Sequence, residues 1–156
     1  MKRSNRKSGF TLVEILIVVV IMAILAAAVV PQFSDSASDA KASNSKFNLH
    51  SLRSQIETYR AQHYGVAPTV DSSHPTELLY KLTVKTNADG DVGTTADYPY
   101  GPYLREIPEN PFTRSQTVKA ITTTAPVASD VDTTNGWIYN QSTGNVWINS
   151  ATLLGE

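Results

Sequence analysis

The chain has 156 residues, with 13 Lys+Arg against 14 Asp+Glu and no cysteine. That length suits one domain or a domain with an appendage, and the missing cysteine excludes disulfides, thiol catalysis and thiolate metal sites. Lys2, Arg3, Arg6 and Lys7 gather four positive charges ahead of a mildly acidic body without a basic stripe, which argues against nucleic-acid binding, where phosphate neutralisation supplies most of the affinity.

Residues 15–34 carry no formal charge, and residues 10–30 contain a single charged side chain, Glu14. As a helix, 21 residues reach roughly 30 Å, the thickness of a bilayer's hydrocarbon core. Basic residues precede the segment, and Asp35 and Asp39 follow it. The positive-inside rule therefore leaves the N-terminus cytoplasmic and exports the body. A secretory signal peptide would end after about 7–15 apolar residues at a small-x-small site. Ala26-Ala27-Ala28 offers such a site, but the run continues through Val29 and Val30. A carboxylate near the start of a spanning helix needs a neutralising partner unless it lies at headgroup level, which makes Glu14 a functional candidate.

Beyond Pro31 the chain turns small and polar, and Leu49, Leu52, Ile56 and Tyr59 then repeat at helical spacing, predicting an amphipathic helix. Gly65 and Pro68 predict its end near Tyr64. Residues 74–82 have the apolar spacing of two helical turns, and residues 87–93 are rich in turn formers. Residues 136–140 and 145–149 are aromatic and β-branched and flank Ser142-Thr143-Gly144, which predicts a hairpin. Residues 118–121 and 126–131 offer a further strand or an irregular loop. The fold class is α+β: a long N-terminal helix, half transmembrane and half amphipathic, packed by a small C-terminal antiparallel sheet.

The string Lys7-Ser8-Gly9-Phe10-Thr11-Leu12-Val13-Glu14 resembles the processing signature of type IV pilins and type II secretion pseudopilins. The resemblance implies a pilin-like fold and cleavage by a prepilin peptidase between Gly9 and Phe10. It also implies N-methylation of Phe10, Glu14 as the fifth residue of a mature chain, and a helix break at Pro31. Physically, the new α-amine and Glu14 are opposite charges in an apolar setting, and each offsets the other's desolvation when paired. They lie four residues apart on one helix; the resemblance implies that the pair forms between neighbouring subunits and sets filament register. The implied division is a leader over 1–9, a transmembrane or filament-core helix over 10–34, the amphipathic helix over 35–64 and a periplasmic head over 65–156.

Gly101-Pro102-Tyr103-Leu104 followed by Pro108-Glu109-Asn110-Pro111-Phe112 is similar to a segment of the major pseudopilin of type II secretion; its plainer role is to pack the sheet on the helix. That protein also has a Gly/Asp-rich loop that binds calcium. The C-terminal part of this chain departs from that pattern and carries Asp130-Val131-Asp132-Thr133-Thr134-Asn135-Gly136 instead. Asp130, Asp132 and Asn135 carry the oxygens that hard calcium prefers, although a solvated turn explains them as well. Asn87, Asp89 and Asp91 echo an EF-hand, but Val92 stands where Gly is required and Tyr98 where Glu is required.

No catalytic motif is present: there is no His-Glu-x-x-His, no Gly-x-Ser-x-Gly and no phosphate-binding glycine loop. His50 and His63 are thirteen residues apart on the predicted helix, too far to share a metal, and His74 stands apart from both. The expectation is a non-enzymatic subunit of a type II secretion pseudopilus without a required cofactor, calcium being the candidate. Its expected partners are prepilin peptidase, other copies of itself, minor pseudopilins, the inner-membrane assembly platform and the membrane. Two alternatives stand beside it. One is a type IV pilin for adhesion, motility or DNA uptake. The other is a membrane-anchored binding module gripping a ligand with Trp137, Tyr139 and Trp147.

Overall fold

Unbroken aliphatic sequence followed by a 3-4-3 apolar stripe forms one helix, α1 (Leu12–Gln62), of 51 residues in a computed structural model that describes residues 11–69, 74 and 77–155. The chain divides into two compact units, one through Ala40 and the other Lys41–Glu156, and α1 contributes to both. The break expected at Pro31 does not interrupt the helix, which runs continuously through position 31. Proline removes one donor from the ladder, and intact turns on either side carry the backbone past it.

The C-terminal end of α1 follows the expected logic. Tyr64 and Gly65 adopt positive φ (55° and 80°), and Gly65 N donates to Arg60 O at 2.8 Å, satisfying a carbonyl that the helix itself leaves unpaired. Arg60 also donates through Nε to Gly65 O, placing a cation at the negative end of the helix dipole.

Leu49, Leu52, Ile56 and Tyr59 are all buried and form one wall of the core. Leu78, Leu79 and Leu82 form a second wall. Among the described residues, the two-turn helix expected over 74–82 is reduced to a 3₁₀ turn at Tyr80–Leu82. Two backbone bonds from Tyr103 N and Leu104 N to Leu82 O, at 2.8 and 2.9 Å, tie the Gly-Pro-Tyr-Leu segment to that turn. Packing thus holds a piece too short to be a stable helix alone. Residues 87–93 form the expected turn, with Asn87 Oδ1 accepting from Asp91 N at 2.8 Å.

Three strands complete the core: β1 (Val118–Ala120), β2 (Trp137–Asn140) and β3 (Asn145–Ile148), in spatial order β1-β2-β3. The predicted hairpin is present, pairing Trp137 with Ile148 and Tyr139 with Val146. Asn140 nucleates its turn: its Oδ1 accepts from Ser142 N and Thr143 N, and Gly144 takes a φ of 78°, as a hairpin loop of this length favours. β1 pairs with β2 in parallel, so the sheet is mixed where an antiparallel one was expected. Sixteen residues separate β1 from β2, enough for the crossover that a parallel pair requires. β2 lies at the centre and is buried along its whole length.

Candidate functional site

The N-terminal part of α1 has the opposite burial pattern from the core. Every residue described from Leu12 through Val30 is exposed, including fourteen large apolar side chains. The helix contains a stretch with mean hydropathy 3.1 and no burial, long and apolar enough to cross a membrane. Monomeric soluble proteins rarely show so large a contiguous apolar surface, and such surfaces mark contact with lipid or protein.

Glu14 is the charge within that surface. It sits three residues after Thr11, and the two side chains form a reciprocal capping box. Thr11 N and Thr11 Oγ1 each donate to Glu14 Oε2 at 2.8 Å, and Glu14 N donates to Thr11 Oγ1 at 3.2 Å. The carboxylate therefore lies in the first turn of α1, beside the positive end of the helix dipole. The expected cleavage and methylation positions, Gly9 and Phe10, lie outside the described residues. The capping partner Thr11 was not singled out from the sequence, although Thr-x-x-Glu before an apolar run is the signature of such a box.

The loop bearing Asp130, Asp132 and Asn135 is the crossover from β1 to β2. Asp132 Oδ1 accepts from Thr134 N, Asn135 N and Asn149 Nδ2, and its Oδ2 accepts from Asn135 Nδ2. Partial burial raises the Asp132 pKa, but the Asn135, Thr134 and Asn149 donors outweigh it and bring the carboxyl down to about 2. Asp130 Oδ2 accepts from Val127 N. The Lys119 ammonium donates to Asp130 O at 2.6 Å and stands 3.8 Å from both Asp130 Oδ1 and Asp132 Oδ2. This donor set does not fit calcium, which takes six to eight oxygens at about 2.3–2.6 Å: Asn135 turns a donor toward the carboxylate, and a cationic side chain lies between the acids. Lys119 and Asn149 were not anticipated. Strand periodicity sends Lys119 to the face opposite Val118, but only the crossover brings the acids to that face.

The aromatic residues weighed as a ligand grip serve the core instead. Trp137 and Tyr139 are 0% exposed. Trp137 Nε1 donates to Pro108 O at 2.7 Å, and Tyr139 OH donates to Pro68 O at 2.9 Å. Trp147 is partly buried on β3. With two of its three rings sealed in, the binding-module reading loses its site. The proline-rich segment is structural as expected. Its Asn110 is 0% exposed and donates through Nδ2 to Gly136 O and Asn149 O at 2.7 and 3.2 Å.

The histidines do not converge. His50 is exposed on α1, whereas His63 is buried and stacked on Tyr59 with ring centroids 3.6 Å apart. His63 Nδ1 lies 2.6 Å from Tyr59 O and Nε2 lies 2.9 Å from Thr86 Oγ1, so both ring nitrogens have partners within the core. His74 stacks on Tyr80 at 3.8 Å. Among the described residues, no three His, Asp or Glu side chains are grouped to hold a metal.

Comparison with known proteins agrees with the N-terminal pattern. Residues 4–30 match the family model of the prokaryotic N-terminal methylation motif. The type II secretion system core protein G of Vibrio cholerae is 30% identical over 112 residues, 72% of this chain and 70% of that protein. The core protein G of Klebsiella michiganensis is 30% identical over 114 residues, 72% of each chain. The fimbrial protein EcpB of Eikenella corrodens is 37% identical over 68 residues, 44% of this chain and 42% of that protein. No solved structure matches the chain significantly. Taken with the exposed apolar helix, its capped glutamate and the small head packed on the same helix, these relatives establish that the chain belongs to the type II secretion system core protein G family of pseudopilins.

Proposed function

We propose that the chain is a structural subunit of a type II secretion pseudopilus, polymerised through α1 to help export folded proteins. The observation that carries this reading is the apolar surface from Leu12 to Val30, fully exposed and holding one carboxylate at its start. Before assembly the helix rests in the inner membrane with the head in the periplasm, an orientation supported by the basic residues preceding the helix. A prepilin peptidase cuts between Gly9 and Phe10 and methylates Phe10. Glu14 of one subunit then meets the α-amine of a neighbour, so each charge offsets the desolvation of the other and fixes axial register.

Burial of apolar surface is worth roughly 25 cal/mol per Å² against water, but lipid already provides most of that gain. The move from bilayer to filament therefore depends on the assembly platform and on register contacts such as Glu14, with minor pseudopilins as further partners. The head has a structural role, without catalysis and without a required cofactor. A type IV pilus subunit is the second reading, favoured by the match to a fimbrial protein.

The intact mass of the protein recovered from its own cells' membranes tests processing. A mass equal to residues 10–156 plus one methyl group is expected. An uncut chain, or one beginning after Ala28, would overturn the reading.

A further inference from the structure

The crossover between β1 and β2 brings two carboxylates, Asp130 and Asp132, to the same side of β1, where the Lys119 ammonium lies 3.8 Å from each. Two acids converging on one face repel each other unless a cation stands between them. Here the cation is covalently part of the strand that the loop leaves. Lys119 Nζ also donates to Asp130 O at 2.6 Å, so one ammonium engages a carbonyl and two carboxylates. The two carboxylates also accept from Val127 N, Thr134 N and Asn135 inside the loop and from Asn149 just beyond β3.

We infer that Lys119 is the resident cation of this loop, closing the β1–β2 crossover as a bound divalent ion would, so that the head holds its fold without calcium. Position and charge both support this. Lys119 is the middle residue of β1 and pairs in register with Ile138 of the central strand, so the base of its side chain is fixed by the sheet. The three side chains are 21–30% exposed, so the charges face one another in a partly shielded setting, where attraction is screened less than at an open surface. A lysine gives only one positive charge to two acids; hydrogen bonds from Asn135 and Thr134 in the loop and from Asn149 beyond β3 stabilise the Asp132 carboxylate. The inference does not depend on the filament reading, since it concerns how the head closes.

The test uses the full-length mature chain in detergent, with thermal unfolding followed by fluorescence of Trp137 and Trp147. Unfolding is recorded in EGTA and in millimolar calcium at matched ionic strength. The wild-type midpoint is expected to stay within about 1 °C between the two conditions. Lys119→Met is expected to unfold about 3–6 °C lower in EGTA, the shift that the loss of one modest interaction produces in a domain of this size. Lys119→Arg, which keeps the charge, recovers most of that loss. A wild-type midpoint that rises by several degrees with calcium would overturn the inference, as would a Lys119→Met midpoint equal to wild type. Were Lys119→Met too unstable to purify, the wild-type calcium comparison and the Lys119→Arg midpoint would still decide the matter.

Discussion

Glu14 and Thr11 cap each other: Thr11 N donates to Glu14 Oε2 at 2.8 Å, and Glu14 N returns a bond to Thr11 Oγ1 at 3.2 Å. The glutamate thus has a structural task within its own helix besides the inter-subunit pairing proposed for it. Two substitutions separate these roles. Glu14→Gln keeps a capping acceptor but no charge, and is expected to be processed normally yet to assemble poorly. Thr11→Val keeps the charge but loses the hydroxyl, and is expected to assemble while the amides of residues 12–15 exchange severalfold faster. Pseudopilus yield on shearing and amide exchange by mass spectrometry measure the two. Normal filaments from Glu14→Gln would remove charge pairing as the register device.

Asn110 joins the proline-rich segment to the start of β2 and the end of β3 through bonds to Gly136 O and Asn149 O. Asn110→Ala leaves both carbonyls without those donors at a fully buried position, and is expected to cost about 2–4 kcal/mol, at roughly 1–2 kcal/mol per lost bond. Asn110→Asp is expected to be worse, because it replaces the donor with a charge in the same place. Gly136 is similarly constrained, since an added Cβ would run into the Ser115 carbonyl. Urea unfolding of the full chain in detergent, followed by tryptophan fluorescence, checks both Asn110 variants.

Acid should loosen the crossover loop at a definite point. The Asp132 carboxyl titrates at about 2 in the fold against 3.8 ordinarily. A group whose folded pKa is depressed stabilises fully above its unfolded pKa and loses that contribution as pH falls through the folded value. The loss is therefore expected between about pH 4 and pH 2. Asp132→Asn should be less stable than wild type at pH 7, with the gap closing over that interval. Thermal midpoints from pH 7 to pH 2 test this, and a gap that stays constant would show that the charge of Asp132 is not what the loop uses.

Trp137 is a core residue with a polar handle. Trp137→Phe retains most of the ring but loses the bond to Pro108 O, and is expected to cost about 1–2 kcal/mol. Trp137→Ala opens a cavity and is expected to cost about 3–5 kcal/mol. Neither should alter leader cleavage if processing reads only the N-terminal segment; intact mass after expression with the peptidase provides that check.

The sequence by itself determined what depends on neighbours along the chain. The apolar run, Glu14, the Leu49-Leu52-Ile56-Tyr59 stripe, the helix end at Tyr64 and Gly65, and the hairpin around Gly144 all follow from spacings of a few residues. Local periodicity and turn chemistry act over such spacings. The N-terminal motif belongs to the same class, since residues 7–14 carry it in eight consecutive positions. Tertiary structure alone decided whatever required distant segments to meet. β1 and β2 pair in parallel only because sixteen intervening residues cross over, and no local pattern encodes the direction of return. The same crossover brings Lys119 to Asp130 and Asp132, which turns an apparent set of metal ligands into an internal ion pair. Residues 74–82 have helical spacing, yet the bonds from Tyr103 and Leu104 to Leu82 O and the packing of three leucines leave one 3₁₀ turn among their described residues, because in so short a segment non-local contacts outweigh propensity.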